Sequence, residues 1–249
     1  MPPAKTPSYA DALLQAAATL RDEVDALSFA PPTACVYNPL RYAWRPYSEY
    51  VWRHGNSRKR VVFLGMNPGP WGMAQTGVPF GEISAVRDWI GVCEPVDQPV
   101  PEHPKRPITG FDCSRSEVSG RRLWGLFAQR FGLAAKFFAD HFVLNFCPLV
   151  WMDEGGRNRT PDKLPTEERQ AVEAPCLKHL RKALEILQPE WAVGIGAWAE
   201  GKITEATRSD DPWRISRILH PSPASPAANR GWDAAATKAL EEAGVWPDA

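Results

Sequence analysis

Apolar positions along this chain recur in two ways, at helical spacing and in short unbroken runs, and the two alternate. Leu13, Leu14, Ala17, Leu20, Val24 and Leu27 repeat every three or four residues, which predicts an amphipathic helix over 8–27. Leu123, Trp124, Phe127 and Phe131 make a second stripe over 119–131, closed by Gly132. Further helices are expected over 83–90, ended by Gly91, over 197–207 and over 232–243, with a longer one over 166–187 that Pro175 either kinks or divides. The apolar runs Val61-Val62-Phe63-Leu64, Phe142 to Phe146 and Trp191 to Gly196 read as strands of the buried, parallel kind, and Trp213 to Leu219 as a fourth strand. Strands that alternate with helices predict an α/β three-layer sandwich, a central, mostly parallel four-stranded sheet flanked by helices. The remaining stretches read as a polar tail over 1–7, an extended loop over 28–50, a proline-rich loop over 95–107 and a polar loop over 153–165. A single domain over 1–249 is expected, its N-terminal helix packed on a core of 60–243.

The stretch from Gly65 to Glu82 organises this plan. It starts where the first strand stops, and in open α/β sheets ligands sit beyond the carboxyl ends of the strands. Pro68, Pro70 and Pro79 stiffen it, while its glycines let the backbone come close to a ligand. Three polar residues, Asn67, Asn145 and His220, follow or interrupt three different strands on that same side. Singly, each has a plain explanation: a turn former, a satisfied core amide, a structural histidine before proline. Together they predict a site. The loop lacks both GxxxxGK and GxGxxG, which argues against a phosphate-bearing cofactor.

Composition narrows the picture. Lysine plus arginine and aspartate plus glutamate both number 29, so any nucleic-acid surface must be local. The run Arg53-His54-Gly55-Asn56-Ser57-Arg58-Lys59-Arg60 reads equally as a solvated turn or a phosphate contact. The 5 cysteines stand singly, without a CxxC pair, which argues against a metal and a disulfide framework and for an intracellular protein, in bacterial cytoplasm or nucleoid or in a nucleus. No window reaches the length of apolar residues that a membrane helix needs.

The segment Gly65-Met66-Asn67-Pro68-Gly69-Pro70, continuing through Gly72 to Glu82, resembles the first motif of the single-strand-selective monofunctional uracil-DNA glycosylases. Asn145-Phe146-Cys147-Pro148 is similar to that family's pyrimidine-reading motif, and His220-Pro221-Ser222-Pro223 to the HPSP motif of the whole uracil-DNA glycosylase superfamily. The motifs stand in the family's order and, with the helices between them, span roughly 60–235.

The resemblance implies an enzyme that flips uracil out of DNA, at a cost of about a few kcal/mol, and hydrolyses its bond to deoxyribose without a cofactor. It implies Asn67 and His220 as catalytic residues, and Met66, Gly69, Phe80 and Asn145 around the base. Phe80 would stack on the ring, Asn145 would pair with a carbonyl and the adjacent N–H, and His220 would donate to the carbonyl between the ring nitrogens as uracil leaves as an anion. Some relatives carry aspartate where Asn67 stands. An amide cannot serve as a base, so Asn67 can only orient a water for an oxocarbenium-like sugar. Gly69 leaves room beside the fifth ring carbon, so 5-hydroxymethyluracil should be accepted along with uracil, in single- and double-stranded DNA. Ser222, Pro223, Ala224 and Ser225, with Arg230, align with the DNA-intercalating wedge, and Ala224 departs from the large basic residue of vertebrate members. Arg230, Lys59, Arg60, Arg157 and Arg159 are as readily phosphate contacts as ordinary surface charge. A monomer acting alone on DNA is expected. The alternatives are a mismatch-specific uracil/thymine glycosylase, a damage-binding module without catalysis and a flavodoxin-like cofactor protein.

Overall fold

The computed structural model describes residues 7–247, so the polar tail expected at the N-terminus lies, but for Pro7, outside the described residues. Helix α1 (Tyr9–Asp25) begins in a reciprocal cap, in which Ser8 Oγ accepts from the Asp11 N–H and the Asp11 carboxylate accepts from the Ser8 N–H. The stretch expected as a loop holds a strand and two helices: β1 (Cys35–Tyr37), α2 (Pro39–Tyr42) and α3 (Trp44–His54). The reason is chemical. Asn38 caps α2 through the Leu40 N–H, with Pro39 in the first turn. In α3 the buried residues are Pro46, Tyr47, Tyr50 and Val51, a stripe whose two tyrosines are hard to pick out among the other aromatics of this stretch.

Strand β2 (Val61–Gly65) follows, then the central loop with a single turn, α4 (Met73–Thr76), inside it. A π-helical turn at Ala85–Ile90 ends at Gly91, whose φ of 82° suits glycine. Helix α5 (Val118–Phe131) closes at Gly132, and a helix not foreseen, α6 (Ala134–Asp140), leads into β3 (His141–Asn145). Two short strands, β4 (Val150–Met152) and β5 (Asn158–Arg159), precede α7 (Thr166–Leu187), which runs unbroken with Pro175 inside it. The chain then continues through β6 (Trp191–Ile195), α8 (Ala197–Ala206), β7 (Arg214–Ile218) and α9 (Trp232–Glu242).

Four strands form one parallel sheet in the order β3-β2-β6-β7. Every residue of β2 and β6 is buried, as unbroken apolar runs require, whereas β7 is an edge and leaves Arg214 and Arg217 exposed. The chain steps from β2 to β3 in one direction and from β3 back past β2 to β6 in the other. Right-handed crossovers then put α5 and α6 on one face and α7 and α8 on the other, and the contacts agree: α5 meets α6 and α9, and α7 meets α8 and α1. The reversal makes a crevice at the carboxyl ends of the central strands. A second sheet, β1-β4-β5, is antiparallel and brings the end of the polar loop toward that crevice.

The basic run falls on the wrong side. Lys59 and Arg60 precede β2, at the end opposite Gly65; Lys59 is buried with its ammonium on the Phe138 carbonyl, and Arg60 donates to the Val245 carbonyl at 2.6 Å. Both bind the protein's own backbone, so neither serves as a phosphate contact beside the site.

Candidate active site

Strands β2 and β3 stay zipped beyond their formal ends. The Phe146 N–H donates to the Gly65 carbonyl and the Cys147 N–H to that of Met66, both at 2.9 Å, which holds the two asparagine-bearing loops side by side. Asn145 lies opposite Gly65 in the ladder. A Cβ on Gly65 would lie 2.5 Å from both Asn145 Oδ1 and Phe80 Cε2, so the amide and the phenyl ring meet over a bare α-carbon that only glycine supplies. Phe80 itself has φ of 53°, a left-handed conformation that costs a bulky residue about 1–3 kcal/mol. Its carbonyl is gripped by the Trp124 indole N–H at 3.0 Å and the Glu82 N–H at 2.7 Å, which fixes the ring above the cavity.

The polar atoms are equally constrained. Asn67 Nδ2 donates to the Leu149 carbonyl at 3.1 Å and lies 3.4 Å from that of Pro68, so the amide oxygen is left to accept. Asn145 Nδ2 uses one hydrogen toward Met73 Sδ at 3.3 Å, keeping a second N–H and its oxygen. The Ser222 N–H donates to His220 Nδ1 at 3.1 Å, which assigns the proton of the neutral ring to Nε2. Burial holds the His220 pKa below its usual value, so the neutral ring is the form present near pH 7. Gly196, at φ of 97°, clears the space behind it: a Cβ there would stand 3.2 Å from His220 Cβ.

These groups line one cavity of about 310 Å³, with Met66, Asn67, Gly69, Phe80, Asn145, His220 and Ser222 all in its wall. That is the lower end of the range for small-molecule sites, roughly 300–1,000 Å³. A roomier groove of about 690 Å³ between α1 and α7 holds none of the strand-end residues. Beyond the cavity, the loop after His220 exposes Pro223, Ala224 and Arg230, with Ser225 half-buried. Arg122 braces it, donating to the Pro221 carbonyl at 3.0 Å and to Asn229 Oδ1 at 2.8 Å. Arg157 is exposed, whereas Arg159 is committed to Thr33 and the Lys163 carbonyl.

Sequence reasoning missed Met73, Glu117, Ser119, Asn158 and Thr160, all in the cavity wall. Asn158 and Thr160 sit in the loop noted only for its arginines. Glu117, just before α5, stands against Gly69 and Gly72, and burial together with the charge of Glu82 raises its pKa to about 7. Among the described residues, no group of three or more His, Cys, Asp or Glu side chains could hold a metal ion, and no helix is long and apolar enough to cross a membrane.

A flat slot with a phenyl face, a donor–acceptor amide, an N–H donor and a separate acceptor amide can hold a planar heterocycle with adjacent carbonyl and N–H groups. Comparison with known proteins agrees. The family model of the uracil DNA glycosylase superfamily matches residues 52–243. The Bos taurus protein named single-strand selective monofunctional uracil DNA glycosylase is 46% identical over 249 residues, covering 99% of this chain and 92% of that protein. The Mus musculus protein of the same name is 45% identical over 243 residues, covering 97% and 87%. The crystal structure of wild-type Pedobacter heparinus SMUG2 superposes with a TM-score of 0.64 over 93% of this chain and 99% of that one; at 17% identity it speaks to the fold alone. The chain therefore belongs to the uracil-DNA glycosylase superfamily and, within it, to the single-strand-selective monofunctional uracil-DNA glycosylases.

Proposed function

We propose that this protein hydrolyses the N-glycosidic bond of uracil and 5-hydroxymethyluracil in single- and double-stranded DNA, leaving an abasic site for base excision repair. The observation that carries the reading is the convergence of Asn67, Asn145, His220 and Phe80 on one cavity. Uracil flipped into it stacks on Phe80, a contact of the kind worth about 1–3 kcal/mol per base. The free N–H and oxygen of Asn145 meet the O4 and N3–H edge, a pattern that cytosine, with the reverse polarity, mismatches. His220 Nε2–H donates to O2, where negative charge gathers as the bond to C1′ breaks. Because the ring is already neutral and its Nδ1 is held by Ser222, the donor needs no reorganisation.

Asn67, with its nitrogen tied to backbone carbonyls, offers an acceptor that orients a water toward C1′ without taking its proton. The glycosidic bond then breaks ahead of water attack. The arginine-braced loop at Pro223–Ala224 enters the duplex, and the protein works as a monomer, without a cofactor, wherever the cell keeps its DNA.

Release of free base from oligonucleotides tests this. Wild type should release uracil, and His220→Ala should lose about 10²–10³ in rate, as when a preorganised donor is removed. Asn67→Ala at the wild-type rate would remove Asn67 from the mechanism. DNA binding with no base release would leave a damage-binding module.

A further inference from the structure

The proposed reaction leaves unused a carboxyl group in the wall of its own cavity. Glu117 is half-buried as a residue, yet its Oε2 is shut off from solvent and, with only the Gly120 backbone N–H beside it, makes no hydrogen bond of ordinary geometry. Buried polar atoms in folded proteins are nearly always bonded, so an orphan beside a binding cavity needs a reason. The surrounding backbone is cut away to admit it. A Cβ on Gly72 would stand 2.2 Å from Oε2 and one on Gly69 2.6 Å from Oε1, whereas one on Gly120 would meet the Phe80 carbonyl first, at 2.1 Å, and Oε2 at 3.0 Å. Two glycines of the central loop thus make room for one carboxyl.

Its position relative to the base follows from the groups already assigned. In a pyrimidine stacked on Phe80, His220 takes O2, Asn145 takes N3–H and O4, and Asn67 faces the sugar. The C5–C6 edge is left; Gly69 is the residue expected beside C5, and of the lining residues without a role it is Glu117 that stands against Gly69, its Oε1 2.6 Å from where a Cβ on that glycine would lie. We propose that Glu117 is a specificity-determining residue that hydrogen-bonds a polar substituent on C5 of the extruded pyrimidine, the hydroxyl of 5-hydroxymethyluracil above all. The inference rests on the substrate reading given above.

The chemistry is complementary. A hydroxymethyl group both donates and accepts, and so does a neutral carboxyl. Glu117 is kept neutral up to about pH 7 by burial and by the charge of Glu82, which itself accepts from the Ser116 hydroxyl and the Ala85 N–H. Arg121 reaches this group only through Ser116 Oγ, and the imidazole of His220 across the cavity is uncharged near pH 7, so no cation offsets that repulsion directly. A methyl group at C5, as in thymine, would fill the space and satisfy neither oxygen, which is a basis for rejecting it.

The test is the ratio of rates on oligonucleotides that differ only at C5: uracil, 5-hydroxymethyluracil and thymine. Glu117→Ala should lower 5-hydroxymethyluracil release relative to uracil by about tenfold or more, the effect of one lost polar contact. Glu117→Gln, which keeps a donor and an acceptor, should hold that ratio within a few-fold of wild type. Should the alanine variant fail to fold, Glu117→Asp, which withdraws the same group by one methylene, must lower the ratio instead. An unchanged ratio in the alanine or aspartate variant, or an equal loss on both bases, overturns the proposal. Wild type that releases uracil and not 5-hydroxymethyluracil overturns both this proposal and the broader substrate reading; release of neither base sinks the glycosylase reading itself.

Discussion

One bare α-carbon, that of Gly65, lets an amide and a phenyl ring share the floor of the cavity. Gly65→Ala inserts a Cβ 2.5 Å from both Asn145 Oδ1 and Phe80 Cε2, so one of them must move. Because a misplacement of about 1 Å can cost on the order of 10²-fold in rate, uracil release should fall by that order while the protein stays folded, as circular dichroism would verify. Glu117 gives a second expectation at this scale. Above pH 7 it becomes a carboxylate facing the place where the uracil anion forms, and like charge opposes departure of that anion. Wild-type turnover should therefore drop between about pH 6.5 and 8.5, and Glu117→Gln should flatten that drop; superimposable profiles would exclude Glu117 as its source. Asn67, Asn145 and His220 were legible in the sequence because each interrupts or follows an apolar run at a strand end, and Phe80 came from the family motif. Glu117 was not, because what marks it is proximity to Gly69 and Gly72, which lie far from it along the chain.

At the level of elements, β2, β3 and β6 announce themselves through their apolar runs, and α1 and α5 through their stripes, whereas β7 carries Arg214 and Arg217 on an open edge. The second sheet was hidden because its pairing partners are remote: Cys35 pairs with Met152 and Val36 with Trp151, a relation no local window contains. The loop after His220 is an element in the same sense, a run of turns held by Arg122 on one flank and by Asn229 Nδ2 on the Pro223 carbonyl at 2.9 Å. That bracing presents the small side chain of Ala224 at an exposed tip. Ala224→Arg adds a cation there. Duplex DNA containing an abasic site should then be held more tightly at low salt, and the slope of log affinity against log salt should steepen by about 0.9 if one more phosphate is neutralised. An unchanged slope would mean that the tip does not meet the backbone.

The fold as a whole depends on histidines that must stay neutral. His141 Nδ1 donates to the Phe137 carbonyl at 3.0 Å, and its Nε2 accepts from the Trp246 indole N–H at 3.1 Å, so a second proton on the ring would point one donor at another. Burial depresses its pKa from 6.5 to about 4, and that of His179 likewise. In the unfolded chain both groups take up protons near pH 6.5. Their folded pKa values are depressed, so the stability they contribute is present above that pH and is lost as the solution is acidified toward 4. For His141 the loss is on the order of 2 kcal/mol. Glu117 works the other way: its folded pKa is raised from 4.5 to about 7, so its contribution is complete below 4.5 and is lost as pH rises through 7. Urea midpoints measured from pH 4 to 8.5 should therefore rise with pH up to about 6.5, because the two histidines outweigh the single glutamate in the window they share, and level off above about 7. In His141→Gln that rise should become shallower, and in Glu117→Gln, which removes the opposing contribution, steeper. A rise that neither substitution changed would mean that other groups set it, contrary to the burial of both side chains.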